Sequence, residues 1–285
     1  MSAPEMTLIQ AAILGIVEGI TEYLPVSSTG HLLLTQKLMN IGQSASTRNA
    51  SEAYAICIQA GAILAVAGLY FRRLREVVQG FAGRNPAGLR LGTNMILAFI
   101  PAAIMGLTLE KWIKHNLFGG GEWGLWPVVA AWFVGGIVIL LVERHRRIAG
   151  KDSTTGLTIQ EITWKLALLI GFMQVLAMWP GVSRSLATIL GGLFAGLSLV
   201  AAVEFSFLLG LITLGAATAL DTLKYGGDIL ALYGWQTPLA GLVTTFVSAA
   251  LAVKWLVRYL QRHPLSLFGY YRIALAIVAA IFLLL

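Results

Sequence analysis

The chemistry in this 285-residue chain is concentrated in two short stretches. The first runs Glu18-Gly19-Ile20-Thr21-Glu22-Tyr23-Leu24-Pro25-Val26-Ser27-Ser28-Thr29-Gly30-His31. Glu18 and Glu22 are four apart, so they project from one face of a helix. Like charges at that spacing repel, and an unpaired carboxylate in an apolar medium costs several kcal/mol. A divalent cation, Mg²⁺ or Ca²⁺, relieves both penalties, because hard cations take oxygen ligands. The plainer alternatives are protonation of one glutamate or an ion pair with an arginine elsewhere. After Pro25 come three hydroxyls, Ser27, Ser28 and Thr29, then His31, which can move a proton near neutral pH. A turn rich in free backbone N–H groups at a helix start suits an oxyanion, phosphate above all. The plain reading of these serines is helix capping.

The second stretch is Pro180-Gly181-Val182-Ser183-Arg184-Ser185. A guanidinium between two hydroxyls, behind a Pro-Gly turn, has the parts of a phosphate clamp, since its forked donors match phosphate oxygens. An ion pair to Glu204 or to the glutamates of the first stretch is the structural alternative. Glu204 and Arg272 read as a structural pair. The single cysteine, Cys57, excludes an intrachain disulfide and reads as packing.

What must hold these groups is a membrane bundle. Hydrophobic residues make up 58% of the chain and charged ones 12%, with a mean hydropathy of +0.80. Soluble domains carry roughly twice that charge, so a soluble globule is excluded. Lysine and arginine number 20 against 13 acids, and the bland reading of the excess is loop orientation rather than nucleic acid. Apolar runs at about 7–36, 53–71, 93–112, 126–142, 163–190, 196–220, 238–258 and 266–285 give eight segments. The first and fifth are broken by Pro25 and Gly30 and by Pro180 and Gly181. Broken backbone at membrane depth survives only where protein or a wet cavity satisfies it. These two are expected to be re-entrant helical hairpins, and the other six to be transmembrane helices.

Loop charge agrees. The 72–92, 143–162 and 254–263 connections are basic and read as cytoplasmic. The 110–125 turn balances Lys111 and Lys114 against Glu110 and Glu122, and the 221–237 turn sets Lys224 against Asp221 and Asp228; both read as external, with both termini. A gapless shift of 156 positions (Ser27 to Ser183) also aligns Gly15 with Gly171, Glu18 with Gln174, Val26 with Val182, Ser28 with Arg184 and Thr29 with Ser185. The expectation is an all-α integral membrane fold: one domain, 1–285, made of two inverted-topology repeats, about 1–150 and 151–285. Such repeats with broken helices also suit a transporter or flippase, the rival to an enzyme.

On these residues the chain resembles the undecaprenyl-diphosphate phosphatase family of the bacitracin-resistance type. The matching motifs are Glu18 to His31, Ile58 to Ala62, Pro180 to Ser185, Phe205 to Leu209 and Tyr270 to Ile273. The resemblance implies hydrolysis of undecaprenyl diphosphate to the monophosphate and inorganic phosphate, which recycles the carrier of cell-wall synthesis. It also implies divalent-cation dependence, a place in the bacterial cytoplasmic (inner) membrane, and a site open to the periplasmic side. The expected catalytic residues are Ser28, His31, Glu22 and Arg184. Ser27, Thr29, Ser183, Ser185 and Arg184 are expected on the phosphates, and Glu18 and Glu22 on the metal. Whether Glu22 or His31 takes the proton is open in the sequence. The expected partners are the polyprenyl diphosphate and the bilayer lipids, with room for a homodimer and none for nucleic acid.

Overall fold

The computed structural model describes residues 6–42, 45–117 and 124–284. Among these residues, regular structure is helical apart from one bridge, Leu157 to Leu197. The helices are α1 (Leu8–Thr21), α2 (Ser28–Leu38), α3 (Ala45–Leu69), α4 (Phe71–Phe81), α5 (Pro86–Leu117), α6 (Trp126–Ile148), α7 (Trp164–Val175), α8 (Arg184–Phe194), α9 (Leu199–Tyr233), α10 (Gln236–Leu260) and α11 (Ser266–Leu284). Five of them (α5, α6, α9, α10 and α11) are long and apolar enough to cross a membrane. Counting α3 and α4 as one span bent by 79° makes six. α1, α2, α7 and α8 have 14, 11, 12 and 11 residues. At 1.5 Å per residue none reaches across ~30 Å of hydrocarbon.

Two of the expected connections are helical. The 72–92 segment contains α4 and the start of α5, and most of 221–237 continues α9 to Tyr233. Lys and Arg are good helix formers, so charge marks a surface without ending a helix. In α4, Leu74, Val77 and Gly80 recur at helical spacing, and Gly80 packs on the backbone of Leu89 in α5. The side chains of Glu110, Lys111, Lys114 and Glu122 lie outside the described residues.

α1 leans on α10, where Gly15 and Gly19 let the backbones touch at Gly241 and Thr245. α7 leans on α5 in the same manner, with Gly171 against Ala98. The 153–162 connection ties down one end of the bundle: Ser153 donates to the Gln261 carbonyl, and Asn94 donates to that of Ile162. α7 starts at this end and α1 at the other, so their turns meet midway. A shift of 156 positions (Ser27 to Ser183) carries the whole of α2 onto α8.

Candidate active site

The two turns place a serine in the left-handed region at each helix start, Ser27 at φ 73° and Ser183 at φ 81°. Such backbone costs about 1–3 kcal/mol in a non-glycine residue, so the surroundings must enforce it. Capping offsets part: Ser27 Oγ accepts from Gly30 N at 3.5 Å, and Ser183 Oγ accepts from Leu186 N at 3.2 Å. Side chains hold the turn carbonyls. Trp132 Nε1 donates to Val26 O at 3.0 Å, and Ser185 Oγ donates to Leu24 O at 2.8 Å.

Arg272 does most of this. Fully buried, it donates to Pro25 O at 3.3 Å, Val182 O at 3.2 Å, Gly181 O at 2.9 Å, Ala131 O at 2.8 Å and Trp132 O at 3.4 Å. One guanidinium therefore pins both turns to each other and to α6. The expected pairing of Arg272 with Glu204 does not exist. Glu204 instead accepts from Arg73 Nε at 2.7 Å, because α9 presents it to α4. Among the described residues Arg272 pairs with no acid; five carbonyls solvate its charge.

Around this staple the reactive side chains converge. Ser28 Oγ donates to Glu22 Oε2. Arg184 Nη2 donates to Glu22 Oε1 at 3.1 Å, and its Nη1 donates to Ser206 O at 2.9 Å. Serine, glutamate and arginine form one continuous chain across the two turns. Arg184 lies over the Tyr23 ring at 5.1 Å, and Phe207 meets that ring edge-on at 5.3 Å. Its Nε is buried with no hydrogen-bond partner among the described residues. Gly210 makes room for it, since a Cβ there would collide with the guanidinium.

Glu18 lies one turn of α1 from Glu22, fully buried, and neither of its oxygens has a hydrogen-bond partner among the described residues. Glu22 and Gln59 are polar neighbours. An orphaned buried carboxylate beside a second one fits a hard cation whose remaining ligands come from water and phosphate. No cluster of three acidic, histidine or cysteine side chains exists among the described residues, so protein donors alone do not complete a cage.

The other expected residues sit nearby with different partners. His31 Nδ1 bonds Ser27 O at 2.7 Å, and Nε2 bonds the Tyr271 hydroxyl at 2.8 Å, with the rings stacked at 5.8 Å. Of the two proton acceptors left open by the sequence, Glu22 is the one bonded to Ser28. Ser183 and Ser185 share a hydrogen bond at 2.9 Å. Thr29 is half-buried in the first turn of α2. The N-termini of α2 and α8 both point into this cluster, and helix N-termini favour anions.

Sequence reasoning missed the roles of Arg272, Trp132, Tyr23 and Gly210. Arg272 did stand out as a charge in an apolar run. Its partners, however, are backbone carbonyls, which no side-chain pattern displays.

Comparison with known proteins decides the family. The family described as "Bacitracin resistance protein BacA" matches residues 11–278. The chain belongs to that family. Among its relatives, "Undecaprenyl-diphosphatase 2" of Rhodospirillum rubrum is 45% identical, covering 95% of this chain and 93% of the relative. The "Undecaprenyl-diphosphatase" of Sorangium cellulosum is 44% identical over 93% of this chain and 83% of its own. That of Aquifex aeolicus is 39% identical over 98% of this chain and 100% of its own. BacA membership thus spans both turns and every helix that positions them.

Proposed function

We propose that this chain is an undecaprenyl-diphosphatase of the membrane, which hydrolyses undecaprenyl diphosphate to undecaprenyl phosphate and inorganic phosphate and so recycles the cell-wall lipid carrier. BacA-family membership and several similar relatives of that name support the reaction. Bacitracin resistance follows from the family. The observation that carries the site is the continuous Ser28–Glu22–Arg184 chain at two facing helix starts.

In this reading Glu22 accepts the Ser28 proton as Oγ attacks the terminal phosphorus and the monophosphate lipid leaves. Water then attacks the phosphoserine, the P–Oγ bond breaks, inorganic phosphate departs and Oγ recovers its proton from Glu22. Phosphoryl transfer depends mainly on positioning and charge neutralisation. The unpartnered Nε of Arg184 is a donor available to a phosphate oxygen. Thr29 and the backbone N–H groups of α2 and α8 face the diphosphate, while Ser27 and Ser183 act through the helix starts that they cap and Ser185 through the Leu24 carbonyl. His31 steadies the first turn through the Ser27 carbonyl and Tyr271. Glu18 and Glu22 would hold a divalent cation, Mg²⁺ or Ca²⁺. When bound, it supplies charge neutralisation at the diphosphate.

The placement in the membrane is part of the proposal. α1–α2 and α7–α8 act as re-entrant hairpins, and six spans form two inverted repeats in the cytoplasmic membrane, with the site open outward. The shared left-handed serines and the matching α1–α10 and α7–α5 packing support it. Phosphate release from undecaprenyl diphosphate by purified protein, with and without chelator, tests the reading. Loss of release in chelator, restored by added Mg²⁺ or Ca²⁺, is expected. Undiminished release in chelator would remove the cation, and no release under any condition would remove the activity.

A further inference from the structure

A second concave surface lies away from the catalytic turns, at the end of the bundle where α6 stops and α10 turns into α11. It is a cavity of about 660 Å³, and its lining includes Arg144, Arg146, Arg147, Lys151, Arg262 and His263. Two carboxylates share the wall, and both are engaged locally. Glu143 faces Arg146 at 3.7 Å. Asp152 accepts from the backbone and hydroxyl groups of Thr154 and Thr155, each at 2.8 Å, which holds its pKa down at about 2.

Arg146 is buried and donates to the Asp152 carbonyl at 2.7 Å, fixing the connection that forms one wall. The side chains of Arg144, Arg147, Lys151 and Arg262 are exposed and make no hydrogen bond or ion pair with described residues. Four unpaired cations therefore converge from two distant segments. Loop orientation by positive charge needs only their number. It does not account for their gathering in one hollow.

Apolar surface adjoins the charge. A neighbouring cavity of about 410 Å³ shares Arg146 and Lys151 and is lined by Leu141, Val142, Leu193 and Phe194, with Leu141 58% and Phe194 59% exposed. At the end of α10 and in the turn after it a ring stack marks the same level: Trp255 against Tyr259 at 5.2 Å, and Tyr259 against His263 at 4.5 Å. Aromatic belts of this kind sit at lipid headgroup depth.

We propose that this hollow binds the phosphodiester headgroup of an anionic glycerophospholipid, its phosphate among Arg144, Arg147, Lys151 and Arg262 and an acyl chain along Leu141 and Phe194. The site is separate from the catalytic turns and does not depend on the reaction assigned to them.

Native mass spectrometry of the purified full chain tests it, with equimolar phosphatidylglycerol and phosphatidylcholine of identical chains. Each surface cation contributes about 1 kcal/mol towards an anionic headgroup. The wild type is expected to retain phosphatidylglycerol better by ~100-fold or more. The triple variant Arg144→Gln/Arg147→Gln/Arg262→Gln should lose that preference about tenfold or more, with phosphatidylcholine adducts and phosphate release unchanged. Should the triple variant misfold, Arg147→Gln and Arg262→Gln alone each carry the test, with a loss of about fivefold. Equal retention of the two lipids by the wild type, or an unaltered preference in folded variants, would overturn the proposal. So would displacement of phosphatidylglycerol by millimolar inorganic phosphate, which would identify the ligand as the free anion.

Discussion

Glu22 has two carboxylate oxygens and spends one on Ser28 and one on Arg184, so its removal disturbs the proposed nucleophile and the proposed phosphate clamp together. Glu22→Gln keeps the volume but not the charge, and turnover should fall by about 10²–10⁴-fold, measured as phosphate release from protein with an unchanged elution profile. Ser28→Ala should cost ~100-fold or more, against a smaller loss for Ser27→Ala, whose hydroxyl only caps Gly30. A reversed order would refute the assignment of Ser28 as nucleophile. Gly210→Ala offers a subtler test. Its methyl would push the Arg184 guanidinium aside without touching substrate, so kcat should fall about tenfold or more in a protein that stays folded. The residues that converge at the two turns are legible in the sequence, because carboxylates, hydroxyls and an arginine in apolar runs are expensive without a task. What stayed hidden is what they lean on. The Ser206 carbonyl, the Tyr23 ring and the space at Gly210 are three-dimensional facts with no local signature.

At the level of elements, the two broken helices depend on Arg272. It bonds three carbonyls within the turns and two on α6. Pro25 and Pro180 announce the breaks, since proline disfavours helix at the residue before it. They do not reveal what satisfies the freed backbone. Arg272→Met has the length to fill the space but no donors. Each orphaned buried carbonyl costs about 1–3 kcal/mol, so the variant should lose at least ~3 kcal/mol, read as a lower denaturation midpoint in detergent. Arg272→Lys keeps the charge and one donor position, and should recover part of the stability but little turnover, because one ammonium cannot hold both turns. The helical character of 72–92 and 221–237 escaped the sequence reading for a related reason. Hydropathy registers where a chain leaves an apolar medium, whereas a helix ends only where capping, glycine or proline ends it. α9 continues to Tyr233 and stops at Gly234, at φ 69°.

Over the whole molecule, orientation depends on which helix ends share a side. Thirteen of the cations, from Arg72 through Arg90, Arg144 through Lys165 and Lys254 through Arg262, fall at the end where α4, the 149–163 connection and the α10–α11 turn lie. The α9–α10 turn at Gly234 lies at the other end, because α9 and α10 are single uninterrupted helices of 35 and 25 residues. By the positive-inside rule the basic end is expected in the cytoplasm. Replacing the lone cysteine as Cys57→Ser gives a clean background for accessibility labelling. Arg84→Cys and Ala149→Cys occupy exposed positions at the basic end, and Gln236→Cys an exposed one at the other. A membrane-impermeant maleimide on intact cells should label only Gln236→Cys, and permeabilisation should add the other two. The same orientation sends α1 in from outside and α7 from inside, because α1 starts beside the first turns of α10 and α7 beside those of α5. Labelling of Arg84→Cys in intact cells, with Gln236→Cys protected, would turn the molecule over. The unpaired cations of the second hollow would then face outward, and the proposed opening of the catalytic turns would reverse with them.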